Sequence, residues 1–264
     1  MSETPASALP SDDSSLESAE TIAPRSLDGT ARPVTPGSQA AEGTYRAQPV
    51  SFVRRGTRLL AAALVVEIGS GLGDAVVHAA KENPDMDFLA VEVYTPGLAQ
   101  TIQKIVSNEL GNVRVVQANA PEVLASMLPA GSVSQVWVFF PDPWHKTKHN
   151  KRRMVKDTFA PLVARVLEED GLWRLATDWS TYAEQMRDVG AVSTEFANVH
   201  DGERTGTDSP LTEARLSGVD CEQSNELDEI GGWAPRFDGR ILTSFENKAH
   251  KAGRVIFDLT FRRL

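Results

Sequence analysis

Fifteen residues, Phe139 to Arg153, carry the densest chemistry in the chain. The apolar stretch Val136-Trp137-Val138-Phe139-Phe140 reads as a strand and runs into Pro141-Asp142-Pro143-Trp144. Two prolines restrict the backbone around one carboxylate, and Trp144 offers a flat π face beside it. From His145 to Lys156 follow six Lys and Arg without a single acid. A held carboxylate next to an aromatic ring can grip a nucleobase, and the adjoining cations can grip phosphate. The plain alternative is a Pro-rich turn with Trp144 packed as a lid and a solvated basic face beyond it.

A second constellation lies upstream. Glu67-Ile68-Gly69-Ser70-Gly71-Leu72-Gly73 has the composition of a strand end followed by a tight turn into a helix. Gly69, Gly71 and Gly73 let the backbone turn sharply and let a ligand approach it. A dinucleotide-binding turn would need glycine where Asp74 stands. An acid at a helix start also disfavours a diphosphate. Glu67 suits the ammonium group of S-adenosyl-L-methionine better. Glu92, nineteen residues beyond Gly73, can accept two ribose hydroxyls, and Asn119 at the next strand end can read an adenine edge. The plain readings are a solvated strand end for Glu92 and a turn residue for Asn119.

These residues need a scaffold that brings strand ends together. Strand-like segments are expected at 64–69, 87–93, 113–119, 135–140 and 172–178. Helix candidates fall between them: Asp74 capping 75–82, a helix opened by Pro96 and running to Asn108, and Asp157 capping a helix to Leu167. This alternation implies an α/β, Rossmann-like, doubly wound parallel sheet. Two further segments, 240–246 and 255–263, are expected to form a C-terminal antiparallel pair, which makes a seven-stranded, mostly parallel sheet. Thr243 and Phe245 would then face one way, Ser244 and Glu246 the other.

Bulk properties fit such a chain. With 264 residues and 41% hydrophobic composition it can bury one full α/β core. Residues 1–45, rich in Ser, Pro, Ala and Glu, read as a disordered acidic tail, and 46–264 as the folded domain. Residues 201–230 hold nine acids and two bases and read as a solvated loop or insertion. The net charge of −9 is thus concentrated away from the basic run. The longest apolar run, Leu59–Val66, is too short for a bilayer, and the N-terminal residues lack the pattern of a secretory signal. Cys221 is the sole cysteine, which excludes an internal disulfide and a cysteine-based zinc site and fits a reducing cytoplasm.

Together, FPDPWHKTKHNKRR, Val65-Val66-Glu67-Ile68-Gly69, Val91-Glu92-Val93, Leu175-Ala176-Thr177-Asp178-Trp179 and Thr243-Ser244-Phe245-Glu246-Asn247-Lys248 resemble the signature of the bacterial tRNA (guanine-N7-)-methyltransferases. The resemblance spans most of residues 50–186 and 233–264. It implies a class I methyltransferase that carries the methyl group of S-adenosyl-L-methionine to N7 of guanine 46 in the variable loop of tRNA. Neither a metal nor a membrane partner is expected from the composition and the short apolar runs. Carried onto matching positions, Glu67, Glu92, Asn119 and Asp142 would line the cofactor pocket, and Asp142 would also be catalytic. Lys146, Asp178, Thr243, Ser244, Phe245 and Glu246 would contact the substrate. Lys148, His149, Asn150, Lys151, Arg152 and Arg153 would meet the RNA. Against the family pattern, the link from Thr57 to Leu64 is short, the stretch 201–230 is long, and Lys248 and Arg254 replace an expected Arg and His. Two other readings remain: a catalytically weak RNA-binding protein that keeps the fold, and a methyltransferase acting on another acceptor. A nicotinamide oxidoreductase is disfavoured by Asp74.

Overall fold

The computed structural model describes residues 62–264. The expected tail at 1–45 and the short link after Thr57 lie largely or wholly outside them. Seven strands form one sheet in the order β3-β2-β1-β4-β5-β7-β6. They are β1 (Leu64–Ile68), β2 (Asp87–Glu92), β3 (Val113–Gln117), β4 (Val133–Phe139), β5 (Leu167–Thr177), β6 (Phe196–Asn198) and β7 (Phe257–Arg263). Strands β1 to β5 pair in parallel, and β7 runs antiparallel between β5 and β6.

Period-two alternation divides the core between two faces. Val66, Leu89, Val136 and Val138 join a large cluster on one face. Val65, Phe88, Ala90, Trp137 and Phe139 join a smaller one on the other. A strand with both faces covered reads as a nearly continuous apolar run, and β1, apart from Glu67, and β4 from Val136 to Phe139 do. In β1, Val65, Val66 and Ile68 are all buried.

Helices α1 (Asp74–Glu82), α2 (Thr95–Ser107), α3 (Ala120–Glu122, continued by a π turn at Val123–Met127), α4 (Ala160–Val166), α5 (Ser180–Val192), α6 (Pro210–Ser217) and α7 (Ser244–Lys251) complete the fold. The expected helix from Asp157 starts three residues later, with Phe159 at its N-cap and Pro161 in its first turn.

Two expectations are corrected. Residues 240–246 are not a strand: Thr243 caps α7, its hydroxyl accepting from the Glu246 amide at 3.2 Å. Thr243-Ser244-Phe245-Glu246 is a Thr-x-x-Glu capping sequence, and that local preference outweighs the strand-like alternation. Its place beside β7 is taken by the short strand β6. Nor are residues 201–230 a solvated loop. They contain α6, capped by Ser209, and the buried Asp228. Asp228 accepts from Arg187 at 3.0 Å, from the Ser209 hydroxyl at 2.6 Å and from the Trp233 indole at 2.6 Å. A buried carboxylate with three such donors ties the acidic stretch to α5.

Candidate active site

The C-terminal ends of β1, β2 and β4 open onto a cleft of about 520 Å³. In an open α/β sheet that edge is where ligands bind. Glu67, near the end of β1, is only 4% exposed, and its Oε2 has no hydrogen-bond partner. Burial pushes its carboxyl up to about 8, with Asp74 and Glu92 adding to the rise against the Val76 amide. A buried oxygen without a donor, facing an open cleft, suits a cationic ligand group.

The glycine turn follows. Gly69, Gly71 and Gly73 all have positive φ. Two of them are needed for different reasons. A side chain at Gly73 would strike Thr101 at 2.5 Å, so this glycine lets α1 approach α2. At Gly69 a Cβ would meet nothing within 4 Å, which leaves backbone open towards the cleft.

Glu92 fastens this turn to β2. Its Oε2 accepts from the Gly71 amide at 2.8 Å, and its Oε1 accepts from Val93 at 2.7 Å and Tyr94 at 2.9 Å. Asp74 pairs with Lys104, which also donates to the Leu72 carbonyl at 2.8 Å.

The opposite wall is the end of β4. Phe140 and Trp144 both have positive φ, 51° and 48°, so the loop Pro141–Pro143 is bracketed by two non-glycine residues in the left-handed region. Such strain persists only where the surroundings hold it. Asp142 is exposed and lines two spaces at once: the main cleft and an adjoining shallow pocket of about 340 Å³. The shallow pocket is lined by Asp142, Pro143, Trp144, His145, Lys146 and His149. Arg152 stacks over Trp144 at 4.9 Å, and His145 lies 4.2 Å from the Trp179 ring centre. One carboxylate thus stands between a deep cleft and an aromatic, cationic shelf.

Comparison with known proteins decides the family. A family profile described as "Putative methyltransferase" matches residues 61–259. A tRNA (guanine-N(7)-)-methyltransferase of Arthrobacter sp. is 56% identical, covering 89% of this chain and 92% of the relative. Its counterpart in Paenarthrobacter aurescens is 55% identical over 88% of this chain and 97% of the relative. The chain belongs to the tRNA (guanine-N(7)-)-methyltransferase family. The alignment with the Arthrobacter methyltransferase runs over 294 positions, more than the 264 residues here, so that relative carries residues with no counterpart in this chain.

Within this methyltransferase the structure brings together most of the residues singled out in the sequence. Glu67, Gly69, Gly71, Glu92, Asp142, Arg152, Thr243, Ser244 and Phe245 line the main cleft. Lys146, Lys148 and Lys151 are exposed, and the turn Thr147–Arg152 is a 3₁₀ helix. Asp178 pairs with Arg254. Gly73 packs beneath the turn.

Three residues are placed elsewhere. Asn119 does not line the cleft; it caps α3, accepting from the Glu122 amide at 2.9 Å. Arg153 is buried and spends its guanidinium on the Pro143 carbonyl at 2.8 Å, Thr181 at 3.0 and 3.1 Å and Gln185 at 3.0 Å. It pins the Asp142 loop to α5 and presents no free face to phosphate. Glu246 is fully buried against Arg236 at 2.7 Å and Arg240 at 3.2 Å and does not line the cleft.

Sequence reasoning missed the cations of that pair. Arg240 is 1% exposed, bonds Asp258 as well as Glu246, and sits over the rings of Phe139 and Phe140. The cluster fastens the first turn of α7, which lines the cleft, to the end of β4 just before the Asp142 loop. The capping sequence was a signal for the helix; nothing in the periodicity marked the two arginines.

Proposed function

We propose that this protein methylates N7 of a guanine in tRNA, at position 46 of the variable loop, using S-adenosyl-L-methionine. The observation that carries the reading is Asp142, standing on the wall shared by the cleft of Glu67 and Glu92 and the cationic aromatic shelf. The cofactor suits the residues present: Glu67 Oε2 is a buried acceptor awaiting a cation, and the Gly69 backbone is open towards the cleft. Glu67 would hold the methionine ammonium and Glu92 the ribose hydroxyls. When bound, the cofactor supplies a methyl group activated by a sulfonium.

Guanine N7 has an in-plane lone pair and no proton to lose, so the task of the protein is alignment more than deprotonation. The purine gains positive charge as the methyl arrives. Asp142 would offset that charge or accept from the N1–H and N2–H₂ edge; Asp178, just past β5 and paired with Arg254, is the other candidate carboxylate. Trp144 and His145 offer faces for stacking, and Lys146, Lys148, Lys151 and Arg152 offer charge for the backbone.

Labelled S-adenosyl-L-methionine and unmodified tRNA, followed by borohydride–aniline cleavage, test this directly. Strand scission in the variable loop is expected. The residues that the Arthrobacter relative has and this chain lacks favour one other reading, a fold that binds RNA without turnover. Binding of tRNA without formation of N7-methylguanosine would support that reading instead.

A further inference from the structure

Helix α7 has a face that the proposed reaction does not use. Glu246 and Ala249 are buried, three residues apart, and fix which side of the helix meets the core. The far side carries Ser244, Lys248 and Lys251, at the i, i+4, i+7 spacing of one helical stripe. All three are exposed. Ser244 lines the cleft, so the stripe begins inside the cleft wall and runs outward for about 10 Å of helix. The Lys248 ammonium lies 5.5 Å from the ring of Phe245, another cleft residue. Neither lysine makes an ion pair among the described residues, and the one acid of the helix is turned inward to Arg236 and Arg240.

The position of the stripe matters as much as its charge. The 3₁₀ turn with Lys146, Lys148 and Lys151 adjoins the wall formed by Pro141, Asp142 and Trp144. The first turn of α7 lines the same cleft with Thr243, Ser244 and Phe245. Trp179 connects the two regions: His145 packs on it at 4.2 Å, and Arg254, three residues past α7, lies 5.7 Å from its ring centre. A nucleotide turned out of an RNA strand into a pocket leaves a phosphate on each side of it. Cations on one rim alone would hold one of those two segments.

We propose that the outer face of α7, through Lys248 and Lys251, is a second RNA-backbone contact. It would act with the Lys146–Arg152 turn, so that the target nucleotide enters the cleft between two cationic strips. This rests on the tRNA reading above and extends it to a surface that reading does not need. The ordinary alternative is that lysines in the last turn only compensate the carbonyl end of the helix dipole.

Equilibrium binding of unmodified tRNA, followed by fluorescence anisotropy over a range of salt, separates the two. Each phosphate contact contributes about 0.7 to 0.9 to the slope of log K against log salt. Lys248→Ala/Lys251→Ala is expected to lower that slope by about 1.4 to 1.8 and weaken binding several-fold at moderate salt. Lys248→Arg/Lys251→Arg should restore both, and Lys81→Ala, at the end of α1, should alter neither. An unchanged slope in the alanine pair, with only the melting temperature moved, overturns the proposal. The cleavage assay judges the methylation reading separately. Full methylation with an unchanged slope sinks α7 alone. A lowered slope in a chain that forms no N7-methylguanosine keeps α7 and sinks the reaction. Failure of the wild-type chain to bind tRNA sinks both.

Discussion

Glu246 and Arg240 lie side by side with no side-chain exposure, and between them they join the cleft-lining turn of α7 to the strand that delivers Asp142. Removing one member of a buried ion pair strands the other's charge, at a cost of about 3–5 kcal/mol. Glu246→Ala leaves Arg236 without its carboxylate and Arg240 with Asp258 alone. We therefore expect a loss near the lower end of that range, read as a fall in denaturation midpoint. Glu246→Gln should lose less. A variant of wild-type stability that fails only in tRNA affinity would return Glu246 to the substrate.

Gly97 tests the glycine turn from behind. It sits in the first turn of α2, and a Cβ there would come within 2.4 Å of the Gly71 carbonyl. Alanine normally favours a helix over glycine by about 1 kcal/mol. Here the backbone of the turn must move instead. Gly97→Ala should weaken S-adenosyl-L-methionine binding by about tenfold, some 1.4 kcal/mol, although Gly97 does not line the cleft. Calorimetric titration showing wild-type affinity would mean the turn adapts freely.

The buried Glu67 predicts a pH dependence. Its carboxyl titrates near 8 when folded, against 4.5 for an ordinary glutamate. Between those values the folded chain keeps a proton that the unfolded chain has released. Its contribution to stability is therefore fully present below about pH 4.5 and is lost as pH rises through about 8. Binding an ammonium needs the ionised form, so cofactor affinity should rise with pH up to about 8 and each binding event at pH 7 should release a proton. The other carboxylates that raise it are Asp74, already paired with Lys104, and Glu92, held by three amides. Titrations in buffers of different ionisation enthalpy measure the proton. Glu67→Gln should abolish the release, and its persistence would place the titrating group elsewhere.

Arg153 and its neighbours separate structural from RNA-facing cations. Arg153→Ala leaves the Pro143 and Thr181 carbonyls without their donor and loosens the Asp142 loop from α5. The expected loss is about 3 kcal/mol of stability with little change in the salt slope of tRNA binding. Lys148→Ala/Lys151→Ala should do the reverse. A lowered slope in a stable Arg153→Ala protein would show that the arginine reaches phosphate after all.

The contrast within this basic run shows what the sequence could and could not reveal. Strands β1, β2 and β4 were legible because a doubly covered parallel strand is mostly apolar, as Leu64–Ile68 is apart from Glu67 and Val136–Phe139 is throughout. The places of Glu67 and Glu92 at the cleft were legible because their distance from the glycine turn is set by that fold. Arg153 was not, since a run of cations gives no sign of which one turns inward; that depends on Pro143, Thr181 and Gln185 meeting it in space. The burial of Glu246 was hidden for the same reason, its partners being six and ten residues away along an irregular loop. The acidic stretch 201–230 looked solvated because one buried aspartate, Asp228, is indistinguishable in composition from its exposed neighbours.

Asp142 carries the final prediction. It is exposed, makes no ion pair among the described residues, and borders both the cleft and the shelf. Asparagine keeps its shape and its acceptor oxygen but removes the charge. If the carboxylate offsets the positive charge that builds on the purine, Asp142→Asn should lower kcat by about 10²- to 10³-fold. The affinity for tRNA, set largely by phosphate contacts, should change little. If the residue instead serves as an acceptor for the guanine edge, the loss should fall mainly in KM, because the interaction is then made before the methyl moves. Steady-state kinetics with saturating and limiting tRNA distinguishes the two. Turnover close to wild type with tRNA bound would remove Asp142 from both roles and leave Asp178, held by Arg254 beside Trp179, as the carboxylate to examine.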